Sequence, residues 1–325
     1  MFKAGQVGLG GMGGGHFFSH RAVSPESLAG VADIRYDFLK QRLSDFQLTE
    51  VPHFSSMEEM IEAVRPDYVD IVTPTFTHAD LAIKAMEMGC HVICEKPMSL
   101  FTDDCDRMIE ASRRTGKRLM IAHVVRFMAP YMYLRSVVKS GKLGRLLRLD
   151  MKRISAVPRW SCDNWMMDFD KAGGVILDLS IHDIDFMRYL CGDPKDFSGL
   201  YYKMKDETEY SSVSFLYDGF SVSVEGGWYK ADVPFFSGYT ALFEGGIIKD
   251  SGGETFENGN KVEYTPGMPE LDIGAPSDTL DGYTREIQYF ESCLASGAPF
   301  DMSAAESSSA TIALCRELIN GLERI

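Results

Sequence analysis

Val7-Gly8-Leu9-Gly10-Gly11-Met12-Gly13 carries glycines at the G-x-G-x-x-G spacing, at Gly8, Gly10 and Gly13. In that motif the first glycine makes a tight turn and the second lets backbone approach a pyrophosphate. The third lets the following helix pack on its strand. The helix N-terminus then offers unbonded N–H groups and the positive end of its dipole to the phosphates, so Gly11 and Met12 join the candidate cradle. A glycine triplet alone is weak in a chain with 30 Gly, and the strand before it, Lys3 to Val7, is poor in β-branched residues. The neighbours decide. Leu28-Ala29-Gly30-Val31-Ala32-Asp33 reads as a second strand, and Asp33 lies 20 residues beyond Gly13. A carboxylate there accepts hydrogen bonds from adenosine ribose hydroxyls and repels a 2′-phosphate, which favours NAD. Arg35 keeps NADP open, because a nearby guanidinium accommodates that phosphate. Without the glycines, Asp33 would read as an ordinary turn former.

Outward from this unit the chain alternates. Helical patterns are expected over Tyr36 to Phe46, Ser55 to Val64, Ala79 to Met88 and Thr102 to Thr115. Ser55 or Ser56 serves as N-cap of the second, and Gly89 and Gly116 close the last two. Strands are expected over Asp67 to Val72, Val92 to Cys94 and Arg118 to Ala122. Such alternation implies an α/β fold with a parallel, doubly wound sheet. In open parallel sheets, ligands bind beyond the carboxyl ends of the strands. Two segments stand at such ends: the loop Thr73-Pro74-Thr75-Phe76-Thr77-His78, and Glu95-Lys96-Pro97. A proline after the charged pair blocks ordinary continuation of the strand. A lone lysine there is also a common solvated cap.

At 325 residues the chain exceeds the usual size of one core, so two domains are expected, 1–122 and 123–325. A net charge of -14 disfavours nucleic acid and anionic membrane surfaces as partners. Seven cysteines from Cys90 to Cys315 form no disulfide framework, and Cys90 and Cys94 have no second pair at zinc-site spacing. Buried free thiols and no metal are therefore expected. The glycine turn follows the first residues directly, leaving no room for a signal peptide, and no apolar run reaches membrane-spanning length. The expectation is a reduced, cytoplasmic protein.

After Arg126 the pattern changes. Tyr131 to Ser140 reads as a helix and Arg145 to Ile154 as an alternating strand. The loop Pro158-Arg159-Trp160-Ser161-Cys162-Asp163-Asn164-Trp165 follows, then Gly173-Gly174 and a run in which Leu177, Ile181, Ile184 and Met187 repeat at helical spacing. Asp178 and His182 are four apart on another face, where a carboxylate orients an imidazole. A solvated i,i+4 pair has the same spacing. Strands are expected over Ser211 to Leu216, Phe220 to Gly227, Gly238 to Phe243 and Gly246 to Lys249, with turns that suit an antiparallel sheet. Gly282 to Ala295 and Ala304 to Leu322 close the chain as helices. The second domain is thus α+β.

Together these residues resemble the Gfo/Idh/MocA oxidoreductases, the glucose–fructose oxidoreductase and inositol dehydrogenase family. The glycine motif, Asp33, the Thr73-Pro74 to His78 loop, Glu95-Lys96-Pro97 and Gly173-Gly174 to Asp178 and His182 occur in family order over nearly the whole length. The resemblance implies a Rossmann domain and a C-terminal domain with an open, mainly antiparallel sheet that commonly builds homodimers or homotetramers. It implies NAD, or NADP, held by Gly8, Gly10, Gly11, Met12, Gly13, Asp33, Arg35, Thr73, Pro74, His78, Glu95 and Lys96. It further implies metal-free hydride transfer with a sugar, inositol or other polyol. Lys96 would bind the reacting hydroxyl, His182 would be the general acid/base, and Asp178 would hold substrate and tune His182. Two departures stand out. Thr75 replaces a frequent Asn in the cofactor loop, and Ala122-His123-Val124-Val125 precedes Arg126-Phe127 where a Gly-Phe-Asn-type stretch is frequent.

Arg159, Trp160 and Trp165 are candidates for a sugar-facing wall, because aromatic faces with polar neighbours suit polyols; core or interface packing suits them equally. His123 either lines the same pocket or is a satisfied strand-end histidine. Three rival functions remain at this stage: NAD-dependent glycoside cleavage, a non-catalytic NAD-binding sensor, and reduction of something other than a sugar, such as a diol or tetrapyrrole.

Overall fold

In a computed structural model of the chain, residues 2–203 and 207–324 are described. They fall into two units. The first comprises Met1–Ala122, Trp160–Asp163 and Ile273–Ser309, and the second comprises His123–Arg159, Asn164–Asp272 and Ala310–Ile325. Residues 160–163 and 273–309, beyond the boundary expected at 122, therefore group with the first unit.

The first unit begins with β1 (Ala4–Val7), α1 (Gly11–Val23), β2 (Leu28–Ala32), α2 (Tyr36–Asp45) and β3 (His53–Phe54). It continues with α3 (Met57–Val64), β4 (Tyr68–Ile71), α4 (His78–Glu87), β5 (His91–Glu95), α5 (Thr102–Thr115) and β6 (Leu119–Ala122). The six strands pair in parallel in the order β3-β2-β1-β4-β5-β6. Strands covered on both faces need apolar residues at nearly every position, and β1, β4 and β6 are buried throughout. Buried Gly5 and Gln6 explain the weak β signal of β1: a Cβ at Gly5 would meet the Met60 methyl at 2.7 Å. Ser56 is the cap of α3, its Oγ accepting the Glu59 N–H at 3.2 Å. Gly116 ends α5 in the left-handed region, φ 68°. The strand order reverses between β1 and β4, the crevice where doubly wound sheets bind ligands.

The second unit carries α6 (Ala129–Ser140), β7 (Leu146–Ala156), α7 (Phe169–Ala172) and α8 (Ile181–Cys191). Eight further strands follow: β8 (Asp196–Lys203), β9 (Glu209–Tyr217), β10 (Phe220–Tyr229), β11 (Phe236–Phe243), β12 (Gly246–Ser251), β13 (Glu254–Glu257), β14 (Asn260–Lys261) and β15 (Glu323–Arg324). Of the last helices, α9 (Gly282–Ser296) belongs to the first unit, and α10 (Ala305–Gly321) begins there and runs into the second. The sheet order is β14-β13-β12-β11-β7-β10-β9-β8-β15. Pairing is antiparallel except at β7–β10 and β8–β15. The sequence showed no strand at β8, half of whose residues are exposed and which includes Gly199. One sheet face packs on α8 and the turn before it, burying Phe186, Phe215 and Trp228. The other face presents the Lys152–Glu225 pair, 2.7 Å apart, beside exposed Leu200, Leu216, Leu242 and Ile247.

All seven cysteines are free thiols. Burial pushes Cys90 up to about 11 and Cys94 well above its usual value. Among the described residues no helix is long and apolar enough to cross a membrane.

Candidate active site

Parallel register brings the sequence candidates to one edge. Val7 pairs with Ala32 and Ile71, and Ile71 with Cys94. The residues that follow are Gly8, Asp33, Thr73 and the Glu95–Lys96 pair, all at the carboxyl ends of neighbouring strands. Gly8 has φ 96°, a backbone that only glycine adopts without strain. A Cβ there would overlap the Val72 carbonyl, and one at Gly13 would overlap the Gly8 carbonyl. Gly10 caps α1 without any side-chain bond, and the first turn holds no acidic residue. Its free N–H groups and the close backbone approach fit a dinucleotide's pyrophosphate. Met12 is partly exposed beside them. Gln6 braces the turn from below, its Nε2 donating to the carbonyls of Gly8 and Gly13, each at 2.8 Å. Sequence reading missed Gln6, whose signal was a lone polar residue in a buried strand.

Asp33 is buried at the end of β2. Its carboxylate accepts the Leu9 N–H at 3.1 Å and the Arg35 N–H at 2.9 Å, so it also fixes the glycine turn. The Arg35 guanidinium lies against Asp33, Nη2 to Oδ2 3.4 Å, and over the Phe38 ring.

After β4, Thr73 and Thr77 hydroxyls are 2.7 Å apart, and Thr77 donates to the Pro74 carbonyl. Thr75 is buried. His78 stands between two carbonyls, Nδ1 2.9 Å from Pro97 O and Nε2 2.9 Å from Thr73 O. Burial lowers its pKa, so the neutral ring donates to one of them. His78 thereby ties the loop after β4 to the strand end that carries Lys96. The Lys96–Pro97 peptide is cis. The Lys96 backbone N–H donates to its neighbour's carboxylate, Glu95 Oε2, at 2.9 Å.

Behind Glu95 lies a buried polar chain that the sequence reading did not single out. His16 on α1 sits 2.8 Å from Glu95 Oε1 and 2.9 Å from Asp70 Oδ2. His20 is 2.7 Å from the same Asp70 oxygen and 3.3 Å from Tyr68 Oη, which donates to Glu291 on α9 at 2.9 Å. Burial alone would lower the His16 pKa, but Asp70 and Glu95 outweigh it and raise it well above the usual value. Burial would likewise raise Asp70, but His16 and His20 hold it well below the usual carboxylate range.

In the second unit, Asp178 lies in a π-helical turn, Ile176–Ser180, that leads directly into α8 and His182. Single π turns inside helices are rare and recur at functional sites. Asp178 is buried and His182 half-buried. Two acidic residues that follow His182 on α8 are clamped. Asp183 accepts from Arg153 on β7 at 3.1 and 2.9 Å, and Tyr131 Oη lies 3.2 Å from the same guanidinium. Asp185 accepts from Arg126. Glu209 accepts from Tyr201 and is raised by burial.

The proposed sugar-wall residues fall in both units, Trp160 in the first and His123, Arg159 and Trp165 in the second. His123 is buried with its Nδ1 3.3 Å from Asp185 Oδ2. Arg159 is exposed and paired with Glu207. Trp160 lies in the first unit, against the glycine turn, where a Cβ on Gly11 would meet its Cζ3 at 2.7 Å. Trp165 is half-buried in the short helix Cys162–Met167.

A family described as "Oxidoreductase family, NAD-binding Rossmann fold" matches residues 2–123, and the GFO/IDH/MocA C-terminal domain matches 131–237. The chain is 31% identical to myo-inositol 2-dehydrogenase of Thermotoga maritima, over 59% of this chain and 55% of that protein. It is 29% identical to 2,7-anhydro-N-acetylneuraminate hydratase of Escherichia coli, over 43% of this chain and 38% of that one. The matched stretches thus span about half or less of these relatives' own length. A solved levoglucosan dehydrogenase, in complex with NADH and levoglucosan, superposes with TM-score 0.82 at 19% identity, covering 98% of this chain and 96% of the other. With its glycine cradle, its strand-end Lys96 and both domains matched, the chain belongs to the GFO/IDH/MocA oxidoreductase family and carries that family's NAD-binding Rossmann domain.

Proposed function

We propose that the chain is an NAD(P)-dependent dehydrogenase moving hydride between nicotinamide and a secondary hydroxyl or keto carbon of a sugar, inositol or sugar derivative. The observation that carries this reading is the shared carboxyl edge of β1, β2, β4 and β5, where the glycine turn, Asp33, Thr73 and Lys96 are brought together. The relatives named for myo-inositol and levoglucosan support the substrate class. When bound, the dinucleotide supplies the hydride acceptor or donor at its nicotinamide ring. The N-terminal amides of α1 hold its pyrophosphate, and Asp33 accepts its ribose hydroxyls in preference to a 2′-phosphate. Lys96, as ammonium, meets the negative charge that develops on the reacting oxygen, a task that needs no metal. His182 takes the hydroxyl proton during oxidation and returns it during reduction, and Asp178 orients its ring. The open face of the nine-stranded sheet, with exposed Leu200, Leu216, Leu242 and Ile247, pairs copies of the chain into a dimer or tetramer.

The test is nicotinamide reduction with a panel of inositols, aldoses, anhydrosugars and sugar nucleotides, with NAD and with NADP. Lys96→Ala and His182→Ala should each lower turnover by roughly 10²-fold while NADH still binds. Near-normal turnover in either variant defeats its assigned role. The likeness to a hydratase favours a second reading, in which retained NAD serves a reaction without net redox change. No net reduction on any panel member, with NAD carried through purification, would select it.

A further inference from the structure

The proposed chemistry leaves unused the buried titratable groups that lie behind Glu95 in the first unit. Their meeting has a simple geometric origin. His16 and His20, four apart on α1, face the same side, and Tyr68 and Asp70, two apart on β4, share one face of the sheet. Four helical residues rise about 6 Å and two strand residues about 6.6 Å. The two pairs therefore stay in step, and Glu95 at the end of β5 closes the set.

Glu95 uses both oxygens. Oε1 is 2.8 Å from His16 Nε2, and Oε2 accepts the backbone N–H of Lys96 at 2.9 Å. One carboxylate thus links the first helix to the peptide from which Lys96 projects. We infer that His16 is a positioning residue for Lys96: a buried imidazolium that ties Glu95 to Asp70 and fixes the strand end presenting the lysine. The inference rests on the reading of Lys96 as the group that meets the reacting oxygen.

The charge state follows from donor counting. A neutral imidazole has one N–H, yet both ring nitrogens face carboxylate oxygens within 2.9 Å. Only the protonated ring donates to both, and each bond is then charge-assisted. The groups around His16 are Asp70 from β4, Glu95 from β5, His20 on its own helix through the shared Asp70 oxygen, and the Tyr283 ring from α9, edge-on at 5.5 Å. Two carboxylates against one imidazolium explain the raised His16 pKa.

The test compares His16→Asn with His16→Gln in the full chain. An Asn amide reaches the Nδ1 position and keeps the Asp70 bond; a Gln amide reaches the Nε2 position and keeps the Glu95 bond. NADH affinity is read by fluorescence, and the Lys96 amine by NMR of ¹³C-methylated lysines, its signal assigned by loss in Lys96→Ala. Turnover is read with the panel sugars. His16→Asn should shift or broaden the Lys96 signal and lower kcat about tenfold, with KM for NAD and NADH affinity within about threefold, while His16→Gln recovers most of both. An unchanged Lys96 signal in His16→Asn overturns the inference. So do equal losses in both variants that track melting temperature and NADH affinity. Lys96→Ala assayed alongside separates the two readings: full turnover there removes the role of Lys96, whereas its loss beside a normal His16→Asn removes only that of His16.

Discussion

Arg126 grips Asp185 with two hydrogen bonds, Nε to Oδ2 at 2.7 Å and Nη2 to Oδ1 at 2.5 Å, and both side chains are buried. Thr311 donates to the same carboxylate at 3.0 Å. Two residues earlier on α8, Asp183 is held by Arg153. His182 therefore projects from a helix pinned on both sides. Burial would raise Asp185, but Arg126 and His123 hold it below the usual carboxylate range.

Arg126→Met should cost about 3–5 kcal/mol, because Asp185 is left as a buried charge without its partner. Arg126→Met with Asp185→Leu should recover much of that loss, since an apolar pair replaces the ion pair. Urea unfolding measures both. With its lowered folded-state pKa, Asp185 contributes stability above about pH 4 that is lost as pH falls through the lowered value.

His16 has the opposite sign. Its folded-state pKa is raised, so the folded protein binds the extra proton, and the stability it contributes is complete below about pH 6.5. That contribution declines as pH rises from there through the raised value. The urea midpoint of the native chain should fall on this alkaline side, and His16→Asn should flatten the decline.

Gly13→Ala should weaken NADH binding more than tenfold, the loss expected when a positioned backbone is displaced. The new methyl would overlap the Gly8 carbonyl and come 3.3 Å from Gln6 Nε2, so the turn itself must shift. Gly15→Ala, with nothing within 4 Å of its added Cβ, is the control that should bind normally. Fluorescence titration with NADH distinguishes them.

Trp160→Ala should weaken NADH binding roughly three- to tenfold, the worth of one aromatic contact. Trp160 lies against Gly11 at the helix end, and with 3 Trp in the chain its energy transfer to bound NADH is separable by substitution. Unchanged affinity and unchanged energy transfer would remove Trp160 from the cofactor site.

The parallel sheet was legible because doubly covered strands and their helices leave strong local marks: short apolar runs, glycine stops and the Ser56 cap. The glycine spacing and Asp33 were legible for the same reason, since tight turns restrict residue type at fixed offsets. By contrast β8 carried no readable pattern, because an exposed, glycine-interrupted strand is held by its neighbours' ladder rather than by its own residues.

The sequence by itself thus determined the alternation of elements, the glycine turn after the first strand and the lysine at a strand end. Only tertiary structure decided that Trp160 belongs beside Gly11 and that His123 comes within 3.3 Å of Asp185. It also decided that His16, Asp70 and Glu95 meet, though 54 and 79 residues separate His16 from its two partners. Each of those carboxylates and imidazoles is unremarkable in its own segment. Their chemistry arises where a helical period of 3.6 and a strand period of 2 come into step across a packed interface, and no local stretch records that.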